Sequence, residues 1–424
     1  MLTTAPRGTR DILPEEAAKW RYLEDNIREC CRLYGYGELR PPLFEHTELF
    51  QRSVGEATDI VEKEMYTFED RGGRSITLRP EATASTVRAY LEHNLYAGPQ
   101  PVKLYYMGPM FRYDRPQAGR YRQFSQFGVE AIGVQDPAID AEVIALALDL
   151  CMHLGLKDLA VELNSIGCPT CRKEYRQALL MYLSEHKDKL CQTCLGRMER
   201  NPLRVLDCKE EGCRTLTTAV PQMLQYLCTE CAEHFQALQR CLEAVGARYT
   251  LNPAMVRGLD YYTKTVFEIT WSGLGAQTAI CGGGRYDGLV EECGGPPTPG
   301  VGFAMGLDRL LLALEQSGVT LPTASKPAVY ITTVSKDDNQ EAFTLLTTLR
   351  RAGISADKDY RQASLRAQLK AANRSGCHFA IIVGGEELER GAVAVRNMIS
   401  GEQKEVKQEQ LIEVLYESLK EDAR

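Results

Sequence analysis

The 424-residue chain lacks the features of an exported or membrane-spanning protein. Its first segment, MLTTAPRGTRDILPEE, carries charges and prolines where a signal peptide needs an apolar run. No later segment reaches the ~20 uninterrupted apolar residues that a membrane-spanning helix requires. We therefore expect a cytoplasmic protein with no membrane partner.

The chain also lacks an excess of basic residues, and its formal net charge is -7. This charge argues against a generally basic, non-specific nucleic-acid binder, although a local basic face can still bind RNA phosphates. No internal repeat or low-complexity tract is visible. With 44% hydrophobic and 25% charged residues, the composition is typical of a globular protein, and the length indicates two or three domains.

Cysteine, in contrast, is abundant, with 15 residues. Without an export signal, CxxC spacing indicates reduced thiols or metal ligands before disulfides. Three CxxC pairs are present at Cys168/Cys171, Cys191/Cys194 and Cys228/Cys231, and Cys208 and Cys213 form a looser fourth pair. Two such pairs can supply four thiolates to a structural zinc ion. The preferred zinc set is Cys191, Cys194, Cys228 and Cys231; the alternative is that the cysteines are small buried hydrophobic side chains.

The chain changes character along its length, and these changes indicate its domains. Pro14–Gly35 has the apolar spacing of an amphipathic helix. Segments rich in aromatic and β-branched residues, such as VKLYYMGPMFRYD and FSQFGVEAIG, then predict strands. Residues 168–235 are dense in cysteine and charge and predict a mostly helical insertion. After a linker rich in Pro, Thr and Ser, strands and helices alternate beyond Lys326, as in a small α/β domain.

Two arginine elements carry the chemistry. The segment GPMFRYDRPQAGRYRQFSQFGVE predicts a hairpin bearing Arg112, Arg115, Arg120 and Arg122, and arginine forks suit phosphate groups. Roughly two hundred residues later, Arg309 opens an apolar helix, where a charged side chain needs a partner. The alternatives are a solvated basic loop at a sheet edge for the hairpin and a pairing with Asp308 for Arg309.

These two elements, in this order, resemble motifs 2 and 3 of the class II aminoacyl-tRNA synthetases. RGLDYYTKTVFEI and CGGGRYDGL resemble the two signatures of one member, the histidyl-tRNA synthetase family, and PRGTRDILPEE and TLRPEATAS are similar to its N-terminal and substrate-pocket segments. The resemblance covers essentially the whole chain. One departure is Ser125, where the family often carries histidine or an aromatic residue, and we expect only local repacking there.

The resemblance implies an α+β fold. It consists of a class II catalytic core at residues 1–322 with a six-stranded antiparallel sheet, interrupted by the helical insertion, and an anticodon-binding α/β domain at residues 327–424. It also implies a homodimer. The basic residues of the last domain could equally form an ordinary solvated helix face.

The resemblance further assigns the substrates, which are L-histidine, ATP and the tRNA for histidine. Glu81 and Thr83 would receive the α-ammonium of histidine with Gln126 nearby, and Glu130, Tyr261 and Tyr262 would surround the imidazole. The predicted histidine-binding set is Glu81, Ala82, Thr83, Arg112, Gln126, Glu130, Arg257, Tyr261 and Tyr262. In isolation, Tyr261 and Tyr262 could equally be one inward and one outward residue of a strand.

The predicted catalytic residues are Arg112, Arg257 and Arg309. The resemblance implies that Arg112 binds the α-phosphate of ATP, that Arg309 binds the γ-phosphate, and that Arg257 acts as a cationic electrophile at the α-phosphate. Mg²⁺ is expected on the leaving pyrophosphate. Arg120 and Gly283 complete the predicted ATP site, with Gly282–Gly284 and Arg285 near the adenosine. Arg115, Gln117 and Arg120 at the hairpin tip would meet the acceptor end of the tRNA.

Two other functions are open to a chain of this pattern. One is the regulatory subunit of ATP phosphoribosyltransferase, a non-enzyme that shares the catalytic fold; its typical sequences lack the C-terminal domain and parts of the ATP and histidine signatures. The other is an RNA-binding or scaffold protein that uses the same basic hairpin. The presence of Arg112, Arg257, Arg309 and the terminal domain favours the enzyme.

Overall fold

The computed structural model describes residues 3–55, 58, 60–117, 119–206, 208, 210–217, 219–256, 259, 261–275 and 278–422. The chain divides into two compact units, Met1–Pro322 and Thr323–Arg424. Among the described residues, no helix is long and apolar enough to cross a membrane.

The first unit is built on strands that form two sheets. The strands are β1 (Gly37–Glu38), β2 (Phe44–His46), β3 (Tyr66–Glu69), β4 (Ser75–Leu78), β5 (Val102–Phe111), β6 (Gln123–Ile132), β7 (Leu159–Ser165), β8 (Tyr249–Leu251), β9 (Thr263–Trp271), β10 (Ala279–Arg285) and β11 (Gly300–Gly306). The large sheet has the order β1-β5-β6-β11-β10-β9-β7-β8, and β2, β4 and β3 form a small antiparallel sheet.

The six central strands of the large sheet, from β5 to β7, run antiparallel to one another, which confirms the predicted sheet. The short edge strands β1 and β8 add to it in parallel. The hairpin of β5 and β6 is the predicted one, and its register pairs Phe111 with Gln123 at the tip end and Val102 with Ile132 at the other.

Helices cover the sheet and fill the insertion. They are α1 (Pro14–Tyr34), α2 (Thr47–Val54), α3 (Thr83–Glu92), α4 (Pro137–His153), α5 (Pro169–Glu185), α6 (Gln192–Arg200), α7 (Glu211–Thr217), α8 (Thr229–Ala244), α9 (Leu289–Glu292) and α10 (Leu307–Gln316). Helix α1 begins with Pro14 and ends at Gly35, whose φ of 76° is the left-handed value that favours glycine at a helix end. It buries one face, including Trp20, Leu23 and Ile27, in the core of the large sheet.

The insertion is mostly helical, as predicted, and has its own small core. Tyr175, Leu179 and Leu183 of α5 are buried there together with Met198 and several cysteines. Helix α8 does not stop at residue 235, because Phe235, Leu238 and Leu242 continue it into the core under the large sheet. The insertion is therefore joined to the main sheet by a continuous helix.

The second unit is the predicted α/β domain. Its strands are β12 (Val329–Thr333), β13 (Ala356–Lys358), β14 (Phe379–Val383), β15 (Ala392–Asn397) and β16 (Gln403–Lys407), and its helices are α11 (Asn339–Arg351), α12 (Leu365–Ser375), α13 (Gly385–Glu389) and α14 (Leu411–Asp422). The sheet order is β13-β12-β14-β15-β16, with the first three strands parallel and the last two antiparallel. Val329, Leu346, Ile381 and Leu415 are fully buried in its core.

Candidate active site

A cavity of about 180 Å³ opens over the large sheet of the first unit. Strands β6, β10 and β11 form its floor, and the start of α3 and the segment before β9 form its sides. The predicted histidine-binding residues that line it are Glu81, Thr83, Arg112, Gln126, Glu130, Tyr261 and Tyr262. The fold thus gathers seven of these predicted side chains, which are widely separated in sequence, around one space.

The other two predicted histidine-binding residues are placed differently. Arg257 lies outside the residues that the structure describes. Ala82 is fully buried at the residue before α3, in a small cluster with Tyr106 and Met110, and its carbonyl accepts a hydrogen bond from Thr86. A contact between Ala82 and histidine stays a prediction.

Glu130, on β6, is a buried acid that lines this first cavity together with the buried Glu81. Glu130 Oε1 accepts hydrogen bonds from the hydroxyls of Thr83 at 2.7 Å and Tyr106 at 3.4 Å, and Glu130 Oε2 accepts one from Tyr286 at 2.6 Å. Burial raises the pKa of Glu130 to about 8, against the opposing effect of the hydrogen bonds from Tyr286 and Thr83. A carboxyl group in this state can either accept or donate a hydrogen bond near neutral pH.

Glu81 lies at the start of α3 and is held by the helix itself. Its two oxygens accept hydrogen bonds from the backbone N–H groups of Thr83 at 2.7 Å and Ala84 at 3.0 Å. Burial nevertheless raises the pKa of Glu81. A fixed, poorly solvated carboxylate of this kind gains most from a bound cation.

Gln126 also has an oxygen that can accept a hydrogen bond from a ligand. Its Oε1 is buried and has no hydrogen-bond partner among the described residues, although Gln126 lines the cavity. A buried carbonyl oxygen without a partner costs roughly 1–3 kcal/mol, which a ligand N–H can recover. The amide oxygen of Gln126 and the carboxylate of Glu81 together suit an ammonium group.

A second cavity of about 220 Å³ adjoins the first, since Arg112, Gly282 and Ala304 line both. Arg120 and Arg309 also line it. Arg112 Nε donates to Pro80 O at 2.8 Å, and Arg309 Nε donates to Ala279 O at 3.0 Å. Burial lowers the pKa of both arginines, although arginine stays charged at any physiological pH. Three guanidinium groups around one cavity suit a polyphosphate.

Asp308, the alternative partner for Arg309, accepts hydrogen bonds from other groups. Asp308 Oδ2 accepts from the backbone N–H of Ser125 at 2.9 Å, and Asp308 Oδ1 accepts from Arg10 at 3.2 Å. The position of Ser125 is therefore tied to the entrance of α10 through its backbone, independently of its side chain.

Two glycines of β10, Gly282 and Gly283, differ in what they contact. Gly282 lines both cavities, whereas the predicted Gly283 faces β11, where an added Cβ would lie 2.2 Å from Gly302 O. Gly283 thus allows two strands to approach, and Gly282 is the glycine of this pair that lines both cavities. The side chain of Arg285 is 0% exposed and binds Asp140 Oδ1 at 2.6 Å, so the predicted approach of Arg285 to the adenosine stays a prediction for its backbone alone.

Asp140 is the centre of a buried network that the sequence did not reveal. Besides Arg285 it binds His234 of α8 at 2.9 Å and the hydroxyl of Thr265 on β9 at 2.6 Å. Burial alone would raise the pKa of Asp140, but the hydrogen bond from His234 and the charge of Arg285 lower it. The network connects α4 with α8, the helix that leads out of the insertion, and with strands β9 and β10 of the large sheet.

The sequence also did not identify three other residues of the site. Tyr106 and Tyr286 hold Glu130, and Gly302 makes room for it, since a Cβ there would lie 2.0 Å from Glu130 Oε2. The three glycines of the strand segment GVGFAMG were the available indication of such a close approach.

The predicted tRNA-contacting residues lie at the hairpin tip. Arg115, Gln117 and Arg120 are all exposed. Gln117 and Arg120 exchange backbone hydrogen bonds of 3.1 and 2.9 Å, which closes a tight turn. Arg120 also pairs with Asp114 at 3.2 Å.

The predicted zinc set is wrong, because it combines residues of two separate clusters. Among the described residues, the thiols form a first cysteine cluster of Cys168, Cys171, Cys228 and Cys231 and a second cysteine cluster of Cys191, Cys194, Cys208 and Cys213. The CxxC pairs were identified correctly. Their partners were not, because helices α5 and α8 meet at one place and α6 and α7 meet at another.

Comparison with known proteins defines the class of the chain. Residues 328–418 match the family model of an anticodon binding domain. The fold is similar to the crystal structure of apo S. aureus histidyl-tRNA synthetase, with a TM-score of 0.83, 42% sequence identity, and coverage of 98% of this chain and 100% of that one. The fold is that of an aminoacyl-tRNA synthetase, an ATP-dependent ligase.

Residues 8–310 match the family model of histidyl-tRNA synthetase. The histidine–tRNA ligase of Desulforamulus reducens is 59% identical over 97% of this chain and 98% of its own length, and that of Pelotomaculum thermopropionicum is 58% identical over 99% of both. The chain belongs to the histidyl-tRNA synthetase family. A Bacillus halodurans structure described as an ATP phosphoribosyltransferase regulatory subunit/histidyl-tRNA synthetase shares the fold at 24% identity and a TM-score of 0.67.

Proposed function

We propose that the first cavity binds L-histidine and the second binds ATP, so that the chain forms histidyl-adenylate and then loads histidine onto the 3′ end of its tRNA. The observation that carries this proposal is the position of Arg112, which lines both cavities. A cation there can contact the histidine carboxylate and the α-phosphate together.

Recognition of histidine follows from the acids and tyrosines of the first cavity. Glu81 and Gln126 accept hydrogen bonds from the α-ammonium group. Glu130 accepts one from an imidazole N–H, and a hydroxyl of Tyr261 or Tyr262 donates to the other ring nitrogen. A pocket with such buried polar pairs rejects side chains of similar size that cannot complete the pairs, because the pocket groups would then be unpaired.

In the adenylation step, an oxygen of the histidine carboxylate attacks the α-phosphorus of ATP, a new O–P bond forms, and pyrophosphate leaves. No protein nucleophile is needed, because the attacking carboxylate is already anionic. Arg112 stabilises the charge that grows on the α-phosphate, and Arg309 holds the γ-phosphate. Arg257 has the role of a second cation at the α-phosphate by family resemblance.

Magnesium belongs to this proposal as the ion carried by ATP. The carboxylates that line the second cavity, Asp114 and Asp308, are already paired with Arg120 and Arg10. These residues fit an ion that is held mainly by phosphate oxygens and waters, as Mg²⁺ commonly is. Bound there, it would neutralise charge on the leaving pyrophosphate.

In the transfer step, a ribose hydroxyl of the tRNA 3′ end attacks the carbonyl carbon of the adenylate and forms an ester. The bond from that carbon to the phosphate oxygen breaks, AMP leaves, and the hydroxyl proton passes to the phosphate or to water. The exposed hairpin tip, with Arg115, Gln117 and Arg120, would contact the acceptor end, and the second unit would bind the anticodon. A homodimer in the cytoplasm completes the proposal on family resemblance.

The assignment of histidine to the first cavity and of ATP to the second can be tested with Arg309→Ala. Loss of a charged contact to the γ-phosphate should raise the KM for ATP roughly tenfold or more in pyrophosphate exchange and leave the KM for histidine within about twofold. Arg32→Ala, which removes an exposed pair with Glu29 on α1, is the matched control. Equal increases of both KM values would refute the assignment of the second cavity to ATP.

A further inference from the structure

The two cysteine clusters lie outside the cavities of the active site, and the adenylation chemistry does not use them. Within each cluster the four sulfur atoms all lie within 4.8 Å of one another. In the first cluster, Cys168 Sγ is 3.5 Å from Cys171 Sγ and 4.0 Å from Cys228 Sγ, and in the second, Cys191 Sγ is 3.9 Å from Cys208 Sγ.

These separations match one tetrahedral metal ion per cluster. With Zn–S bonds of about 2.3 Å, the sulfurs of a tetrahedral four-thiolate site lie about 3.8 Å apart. A disulfide would need about 2.05 Å, and all 15 cysteines are free thiols in the structure. A four-iron cluster places several metal and sulfide atoms between its thiolates and needs a wider ring.

The backbone around the clusters is arranged for thiolates. Cys168, Cys191 and Cys228 each occupy the residue before a helix, and the second cysteine of each CxxC lies in the first turn of that helix. Backbone N–H groups point at sulfur, with Cys228 N donating to Cys171 Sγ at 3.1 Å and Cys191 N donating to Cys213 Sγ at 3.3 Å. Helix N-termini and N–H donors both stabilise negative charge on sulfur.

We propose that each cysteine cluster binds one zinc ion, so that the chain carries two structural zinc sites. All four sulfurs of each cluster serve as ligands, which leaves no coordination position for a substrate, as in closed structural sites. The cysteines of both clusters belong to the small core of the insertion or pack against it, so a bound metal would add folding energy to that core.

The first site is also connected to the histidine pocket. Gly167, the residue before Cys168, accepts a backbone hydrogen bond from Lys264 N at 2.9 Å, and Ile166 N donates to Lys264 O at 2.8 Å. Arg172 of α5 donates to Tyr262 O at 3.2 Å. A zinc ion that fixes the start of α5 therefore fixes the backbone that carries Tyr262. The second cluster has its ligands on α6, α7 and their flanking residues, all within the insertion.

The experiment is metal analysis of the full-length protein purified without chelator, by native mass spectrometry and elemental analysis. The expected result is two zinc ions per chain. Cys168→Ser and Cys208→Ser should each leave one, and Cys241→Ser, which changes a cysteine outside both clusters, should leave two. Fewer than one zinc per cluster in the unmodified protein, or iron in place of zinc, would overturn the proposal.

Two further measurements separate zinc binding from misfolding and test the connection to the pocket. Protein produced in cells grown with cobalt and without zinc should show the visible absorption of tetrahedral cobalt thiolate, with two cobalt ions per chain. Absence of this absorption would contradict the two sites, and the measurement needs no variant. Cys168→Ser should raise the KM for histidine at least about threefold more than Cys208→Ser does. Equal KM values in the two variants would overturn the connection between the first site and Tyr262.

Discussion

The hydroxyl of Tyr286 donates a hydrogen bond of 2.6 Å to Glu130 Oε2, and both side chains are buried. Tyr286 follows β10 and Glu130 lies on β6, so the bond joins two strands that are separated by β11. Because Thr83 donates to the other oxygen of Glu130, the carboxyl group is held in one orientation by protein groups alone. In the proposed histidine pocket, selectivity would depend on this fixed acid.

Removing the Tyr286 hydroxyl should weaken histidine binding without changing the fold. We expect Tyr286→Phe to raise the Kd for histidine roughly tenfold or more, because a lost hydrogen bond to a charged or buried acid costs about 1.5–3 kcal/mol. The matched control is Tyr175→Phe in the insertion, since the Tyr175 hydroxyl is buried with no hydrogen-bond partner in the part of the chain that the structure describes. Isothermal titration with histidine measures both, and similar affinities for the two variants would contradict the role of Tyr286.

The raised pKa of Glu130 should make the stability of the free protein depend on pH. Its pKa rises from 4.5 to about 8 on folding, mainly through burial. The folded state therefore binds the proton more tightly, and stability that is present below pH 4.5 is lost as the pH rises towards 8. Glu130→Gln removes this loss, so the Tm of the variant relative to the native protein should increase between about pH 5 and pH 8. Parallel Tm curves of the two proteins over that pH range would show that burial does not raise the pKa of Glu130.

Gly302 should be indispensable, because of the space that it leaves for Glu130. A Cβ at Gly302 would lie 2.0 Å from Glu130 Oε2 and 2.3 Å from Val129 O. We expect Gly302→Ala to lower kcat/KM for histidine at least about a hundredfold, because the backbone contact cannot relax without moving β6. Gly196→Ala in α6 is the control, since a Cβ added there would have no described atom within 4 Å and alanine is favoured over glycine in a helix. A Gly302→Ala enzyme with normal kinetics would show that Glu130 is not closely packed.

Asp140→Asn should destabilise the first unit strongly. The substitution removes the charge of Asp140, which is the closer of the two carboxylates that pair with the buried guanidinium of Arg285, at 2.6 Å against 3.0 Å for Asp287. Breaking a buried pair typically costs about 3–5 kcal/mol. Both tryptophans, Trp20 and Trp271, lie in the first unit, so tryptophan fluorescence during urea unfolding reports on it. Glu29→Gln, which breaks an exposed pair with Arg32, should leave the unfolding midpoint unchanged. The same midpoint for both variants would exclude a stabilising role for the network.

The fold was largely predictable, because its elements carry local patterns. The spacing of Trp20, Leu23 and Ile27 and the glycine at residue 35 define α1, and the alternating aromatic segments define β5 and β6. The arginines and the acids of the pocket came from resemblance to the family. Periodicity alone would not have distinguished Tyr261 and Tyr262 from ordinary strand residues.

What could not be predicted depends on pairing between distant parts of the chain. Arg285 follows three glycines and has the local pattern of a ligand-binding residue, but its partner Asp140 is 145 residues away. The cysteine clusters show the same limit. CxxC spacing identifies two ligands of a site, and only the packing of the helices shows which second pair completes it. A single sequence contains no direct record of such contacts.

Selection of histidine by the pocket around Glu130 is tested most directly by the exchange of labelled pyrophosphate into ATP, measured separately with each of the standard amino acids. We predict exchange with histidine alone, and its loss in Glu130→Ala protein that still shows a cooperative unfolding transition. Exchange that is absent with histidine, or equal with several amino acids, would contradict the claim that this pocket selects histidine for activation.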